Sequence, residues 1–80
     1  MVDYEKFEGW LRAVAGLGKN SSKDVKSRLK RVMNFVDFEK YQELRSTLFA
    51  LDGNKDFEKL SVFVKSQLKR ALTLYHDFKG

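Results

Sequence analysis

The sequence predicts an all-α protein, a compact four-helix bundle made of two similar helical hairpins. Apolar residues recur every three or four positions, and no segment alternates apolar and polar residues with period two. Glycine-containing turns interrupt these patterns near residues 16–18 and 52–54, and proline is absent. At 80 residues, the chain is expected to form one domain, 1–80, of two units at about 3–38 and 39–79.

The first hairpin is predicted from two amphipathic segments. Helix one is expected from Asp3 to Ala15, with an apolar stripe of Tyr4, Phe7, Trp10 (or Leu11) and Val14. Gly16 and Gly18 end it, because glycine adopts the left-handed conformation of a helix C-terminus at little cost. Helix two begins near Asn20 or Ser21, where Ser21 and Asp24 have the spacing of a capping box. Its predicted buried residues are Val25, Leu29, Val32 and Val36.

The second hairpin follows with a tight connection. Helix three is predicted over 38–51, with an inward stripe of Phe38, Tyr41, Leu44 and Leu48. The sequence Asp52-Gly53-Asn54 indicates a turn. Helix four is expected from Asp56 to Phe78 with a bend near Ser61, and its predicted core residues are Phe57, Leu60, Val64, Leu68, Ala71, Leu72 and Tyr75.

Parts of the two hairpins share a sequence pattern. Residues 25–38 (VKSRLKRVMNFVDF) match residues 64–77 with an offset of 39, and a one-residue slip aligns Asp37-Phe38 with Asp77-Phe78. Such agreement favours duplication of one structural unit. The alternative is that two amphipathic helices converged on similar residues.

The composition argues against an enzyme, a cofactor or a metal site. The chain has no cysteine, and its single histidine, His76, has no catalytic partner at a recognisable spacing. Residues 16–19 lack the context of a nucleotide-binding loop. No apolar run is long enough to span a bilayer, and the first residues do not resemble a secretory signal. We therefore expect a cytoplasmic protein with no catalytic residues, no small-molecule substrate and no membrane partner.

The density of basic residues is the main indication of function. The net charge is +5, and residues 19–31 contain one acid, Asp24, among six cations. Lys23, Lys26 and Lys30 are predicted to form an outward ridge, and the second unit repeats the pattern. Lysine and arginine neutralise phosphates, and serine donates to phosphates or bases. The candidate DNA-binding residues are Lys19, Lys23, Lys26, Ser27, Arg28, Lys30, Arg31, Lys65, Ser66, Lys69 and Arg70.

Two alternatives stand beside DNA binding. The basic residues can simply be solvated helix faces, because lysine and arginine are good helix formers. The chain can also be a helical protein-interaction domain of a phage or regulatory protein, using apolar groups such as Phe35, Phe49, Phe63 or Leu74. Trp10, Phe35, Phe49 and Phe63 lie partly off the core stripes. They can stack on bases or seal helix–helix contacts, and we expect packing in the core or at its edge.

Two segments resemble the N-terminal core-binding, SAM-like domain of tyrosine recombinases and phage integrases. They are FEGWLRAVAGLGKNSSKDVKSRLKRVMNFVDF and LSVFVKSQLKRALTLYHDF. The resemblance implies two helical hairpins that grip duplex DNA with basic helices two and four during DNA recombination and integration. A separate catalytic domain of the parent chain would cut the DNA. The Arg, His-x-x-Arg and Tyr region of that catalytic domain is absent here, so the resemblance implies an excised domain or a stand-alone relative.

Overall fold

The computed structural model describes residues 2–80, and helices are the only regular elements in that part of the chain. Helix packing on helix confirms the predicted all-α class, but there are five α-helices instead of four. They are α1 Tyr4–Ala13, α2 Lys19–Val32, α3 Leu44–Asp52, α4 Lys55–Glu58 and α5 Val62–Lys79, with a 3₁₀ turn at Phe38–Lys40 before α3.

The start of α2 differs from the predicted capping box. The N-cap residue is Gly18, whose missing side chain leaves the first turn without a side-chain cap, so the prediction of a cap at Ser21 is wrong. Ser22 is buried instead, and its hydroxyl donates to the Gly18 carbonyl at 2.8 Å. Gly16 has a φ of +74°, which explains glycine at this point of the α1–α2 connection.

The third helix starts later than predicted. The Asp37 carboxylate accepts a bond from the backbone N–H of Glu39, which supports the 3₁₀ turn, and the chain is extended at Tyr41. Because α3 begins only at Leu44, its buried positions become Thr47 and Leu51, and Tyr41 is exposed rather than inward-facing. The hydroxyl of the buried Thr47 has a hydrogen-bond partner, because it donates to the carbonyl of Glu43 at 3.1 Å.

The predicted fourth helix is divided into α4 and α5. The Ser61 hydroxyl accepts a bond from the backbone N–H of Val64 and starts a new helix where a bend was expected. The Asn54 side chain caps α4 by accepting from Phe57 N–H, and it also donates to the carbonyl of Phe35.

The core lies between α2 and α5, which share the most extensive helix–helix contact of the molecule. These are the two helices with the repeated sequence pattern, and α1 packs across α2 beside them. The stripes predicted for α2 and most of α5 are buried, but Val14 is exposed because α1 ends at Ala13. The fully or nearly fully buried apolar residues are Phe7, Leu11, Val25, Leu29, Val32, Val36, Phe38, Leu51, Phe57, Leu68, Ala71, Leu72 and Tyr75.

Within residues 2–80, no helix combines the length and the apolar character needed to cross a membrane.

Candidate nucleic-acid interface

The outer face of α2 carries a group of exposed basic residues. One side of α2 faces the core, where Ser22, Val25, Leu29 and Val32 are buried. Because successive residues are about 100° apart around a helix, these positions determine which residues lie on the opposite, outer side. We call that side the basic α2 face; its members are exposed, and they are Lys19, Lys23, Ser27, Lys30 and Arg31.

The cations of the basic α2 face are available to an anionic partner. Among residues 2–80, none of them lies within ion-pair distance of a carboxylate. Lys30 has its ammonium 5.3 Å from the centre of the Tyr4 ring, a contact that leaves its charge uncompensated. The single acid of α2, Asp24, is exposed on the same side of the helix, about 60° from Ser27 at about 100° per residue. Four cations against one acid give this side a net charge of +3 (4 − 1).

The positive surface extends past the start of α2 to a residue that the sequence did not single out. Arg12 on α1 and Lys19 line the same shallow hollow, together with Gly18. The first-turn N–H groups of α2 have no side-chain cap and add partial positive charge at this end. Arg12 could not be predicted, because its proximity to Lys19 depends on how the α1–α2 connection folds back.

Lys26 does not belong to the basic α2 face. Its ammonium lies 3.2 Å from a carboxylate oxygen of Glu5 and 2.5 Å from one of Glu8, and its side chain is only 16% exposed. The hydrogen bond from Lys26 lowers the pKa of Glu8, and the bonds to Glu8 and then Glu5 raise the pKa of Lys26. Lys26 therefore fastens α2 to α1, and its charge is already balanced.

The candidate residues of α5 include fewer exposed, unpaired cations than those of α2. Lys69 forms an ion pair with Asp52 at 2.7 Å, which joins α5 to α3. Lys65 is half-buried, whereas Ser66 and Arg70 are exposed. Arg28, on α2 but off the basic face, is also half-buried. The structure thus leaves more exposed, unpaired cations on α2 than on α5.

The four off-stripe aromatic residues fall into two groups. Trp10 packs with its ring centre 5.7 Å from that of Phe78, and Phe35 meets Phe57 edge-on at 5.8 Å. Phe49 and Phe63 are instead 82% and 70% exposed. The expectation of edge packing holds for the first pair and is wrong for the second, which occupies the outward sides of α3 and α5.

No arrangement of metal ligands occurs in the described part of the chain, since residues 2–80 contain no cluster of three or more histidine, cysteine or acidic side chains. His76 is half-buried in the last turn of α5.

Comparison of the sequence with protein-family models and with curated proteins found no match, and comparison of the fold with solved structures found none. The resemblance to recombinase core-binding domains stays a prediction.

Proposed function

We propose that this chain is a DNA-binding module that contacts the duplex through the basic α2 face. The observation that carries the proposal is the concentration, on one side of one helix, of exposed cations that have no ion-pair partner among residues 2–80. Such a surface gains free energy on a phosphate backbone, because bound counterions are released from the DNA. The predicted sites Lys26 and Lys69 are not included, since each is held by a carboxylate.

The composition of the basic α2 face favours contacts to phosphates over contacts to bases. Four of its five members are lysine or arginine, which neutralise phosphates. From Lys19 to Lys30 the helix rises about 16 Å, close to five phosphate steps along one strand. We therefore expect binding that depends strongly on salt and weakly on base sequence.

The resemblance to recombinase core-binding domains supports the same proposal and extends it to DNA recombination. In that setting the module would hold the DNA for a catalytic domain of the parent chain.

The test is a mobility-shift titration of a duplex of about 20 base pairs at several salt concentrations. With about four phosphates neutralised, the logarithm of the affinity should fall with the logarithm of salt at a slope of about −3 to −4. The triple variant Lys19→Gln, Lys23→Gln, Arg31→Gln should weaken binding about tenfold or more at low salt.

A matched control removes the same charge elsewhere. Lys40, Lys55 and Lys59 are exposed and lie outside the basic α2 face, so changing all three to Gln also lowers the net charge from +5 by three, to +2. This control should lose much less affinity than the α2 variant. Equal losses would show that only net charge matters, and no duplex binding at low salt would refute the proposal.

A second candidate function is a protein-interaction module, and the exposure of Phe49 and Phe63 favours it. Binding of this kind should survive moderate salt and should fall when these rings are truncated. Salt-insensitive capture of a helical partner by a chain that does not bind DNA would select this function.

A further inference from the structure

The solvent side of α3 presents an apolar ring beside a hollow. Phe49 is 82% exposed, the highest value among the large hydrophobic residues within 2–80. It lies opposite the buried Thr47 and Leu51, and the hollow next to it is lined by Tyr41, Arg45, Ser46, Phe49 and Ala50. These residues, together with Asp52, are called the α3 face below.

The charges at the two ends of α3 are placed against its dipole. Arg45 lies in the first turn, where the helix end is partly positive, and Asp52 is the last helical residue, where it is partly negative. The N-cap residue, Glu43, makes no capping bond with its side chain. Lys69 compensates Asp52, but the Asp52 side chain remains 55% exposed, and Arg45 has no carboxylate within ion-pair distance among residues 2–80.

We propose that α3 pairs with the α3 helix of a second copy of this chain, antiparallel about a two-fold axis. In that arrangement Arg45 lies beside the partner's Asp52 and the negative end of the partner's helix. The symmetric contact places Asp52 beside the partner's Arg45. Arg45, which is unfavourable at its own helix end, gains an opposite charge, and Asp52, already paired with Lys69, gains a second cation through its exposed part. A two-fold axis makes each contact occur twice.

The same register brings the apolar parts of the two faces together. Arg45 and Asp52 are equidistant from a point between Leu48 and Phe49, so the axis passes beside Phe49. The two Phe49 rings therefore meet near the centre of the interface. One side of α3 carries small residues, which allow the two helices to approach closely. These residues are Ser46, Ala50 and Gly53.

The size of the face indicates a weak dimer. Nine helical residues extend about 14 Å. Stable dimers bury about 800 Å² on each partner, which is about 15% of the 5310 Å² surface of this chain. The α3 face is smaller than that, so self-association should depend on concentration over the micromolar-to-millimolar range.

A second copy fits this face better than nucleic acid does. The α3 face carries one cation and one anion, Arg45 and Asp52, and with Lys69 bound to Asp52 its net charge is about +1, against +3 for the side of α2 that holds the basic α2 face and Asp24. Its charges complement those of its own symmetry mate. The proposal does not rest on DNA binding, because it concerns a different helix.

The first test measures self-association of the 80-residue chain by sedimentation. The wild type should pass from monomer to dimer as concentration rises. Phe49→Ser should weaken the dimer about tenfold or more, and Phe63→Ser, which removes a similarly exposed ring from α5, should not. A wild type that stays monomeric to about millimolar concentration would overturn the proposal, as would equal effects of the two variants.

The second test uses charge reversal to check the register. Arg45→Asp and Asp52→Arg should each weaken self-association about three- to tenfold, because like charges then face each other twice. Mixing the two variants should restore dimers, since the mixed pair regains both opposite-charge contacts. Circular dichroism of each variant verifies folding. Failure of the mixture to associate would refute this antiparallel pairing, and loss of duplex binding by Phe49→Ser in a strictly monomeric chain would assign the face to nucleic acid.

Discussion

Lys26 shows how one side chain can connect two helices. Its ammonium contacts carboxylates of two residues one turn apart on α1, and its aliphatic part is largely covered. The pKa of Glu8 is lowered from its ordinary value of 4.5, and that of Lys26 is raised from 10.5. The contact is therefore fully formed between mildly acidic and mildly alkaline pH. Stability is lost as pH falls through the folded-state pKa of Glu8, or rises through that of Lys26.

Glu8→Gln should remove the acid-side part of this pH dependence. Near pH 7, where Glu8 is ionised, the wild type should melt at a higher temperature than the variant. The difference should begin to shrink below the ordinary pKa of 4.5 and should be lost as pH falls through the lower folded-state pKa of Glu8, where the folded wild type becomes protonated. Melting curves recorded by circular dichroism between about pH 3 and pH 8 measure this difference in melting temperature. Glu58→Gln, an exposed acid on α4, is the control; an equal effect there would contradict the assignment.

At the level of the elements, short polar side chains decide where helices start. Asp3, Asn54 and Ser61 each accept a bond from a backbone N–H three residues later, at the starts of α1, α4 and α5. Asn54 differs from the others because its amide also donates to the Phe35 carbonyl, across the connection from α2. It therefore fixes both the start of α4 and the position of α4 against the chain before α3.

Asn54→Ala should cost more stability than Ser61→Ala. Loss of a capping bond alone costs about 1 kcal/mol, and this is the effect expected at Ser61. The Asn54 variant also leaves the part-buried Phe35 carbonyl without this partner, so its cost should be about 2 kcal/mol. Urea unfolding of both variants gives the comparison, and similar losses would mean that the bond to Phe35 contributes nothing.

For the whole molecule, stability depends on the contact between α2 and α5. Leu29 of α2 and Leu68 of α5 are buried, as expected for facing helices with the most extensive contact in the fold. An 80-residue chain has a total stability of about 4–12 kcal/mol. The free energy lost on removing one large core side chain is thus a substantial fraction of the total stability.

Leu68→Ala should lower the free energy of unfolding by about 2–5 kcal/mol. Leu74→Ala, in the same helix at a half-buried position, should cost less because fewer of its atoms leave a packed environment. Denaturant unfolding tests the difference in stability between the two variants, through their midpoints, provided that the dependence of the free energy on denaturant concentration is unchanged. If both variants lost the same amount, the α2–α5 contact could not be the centre of the core.

The sequence predicted most of the core but not the interruptions between helices. Residues such as Val25, Leu29 and Val32 repeat at helical spacing, and burial of one side of each helix follows from that spacing alone. The breaks at 38–43 and 59–61 depend on local bonds of Asp37 and Ser61 to the backbone. Such bonds compete with helix continuation, and a periodic pattern does not show which wins.

The candidate interface, like the fold, could be predicted from the sequence only in part. The basic residues of α2 lie within one predicted helix, residues 19–31, so their shared outer face follows from helix geometry. The ion pairs of Lys26 and Lys69 join residues on different helices, and only the tertiary packing reveals them. The duplicated charges of α5 therefore include fewer exposed, unpaired cations than those of α2.

The aromatic cluster between α1 and α5 has an optical consequence. Trp10 is the only tryptophan of the chain, and its half-buried ring contacts Phe7 and Phe78 from opposite ends of the sequence. Its fluorescence is therefore an intrinsic reporter of whether the first and last helices are docked. Since Trp10 belongs neither to the basic α2 face nor to the α3 face, a spectral change on adding DNA would signal movement of α1 relative to α5.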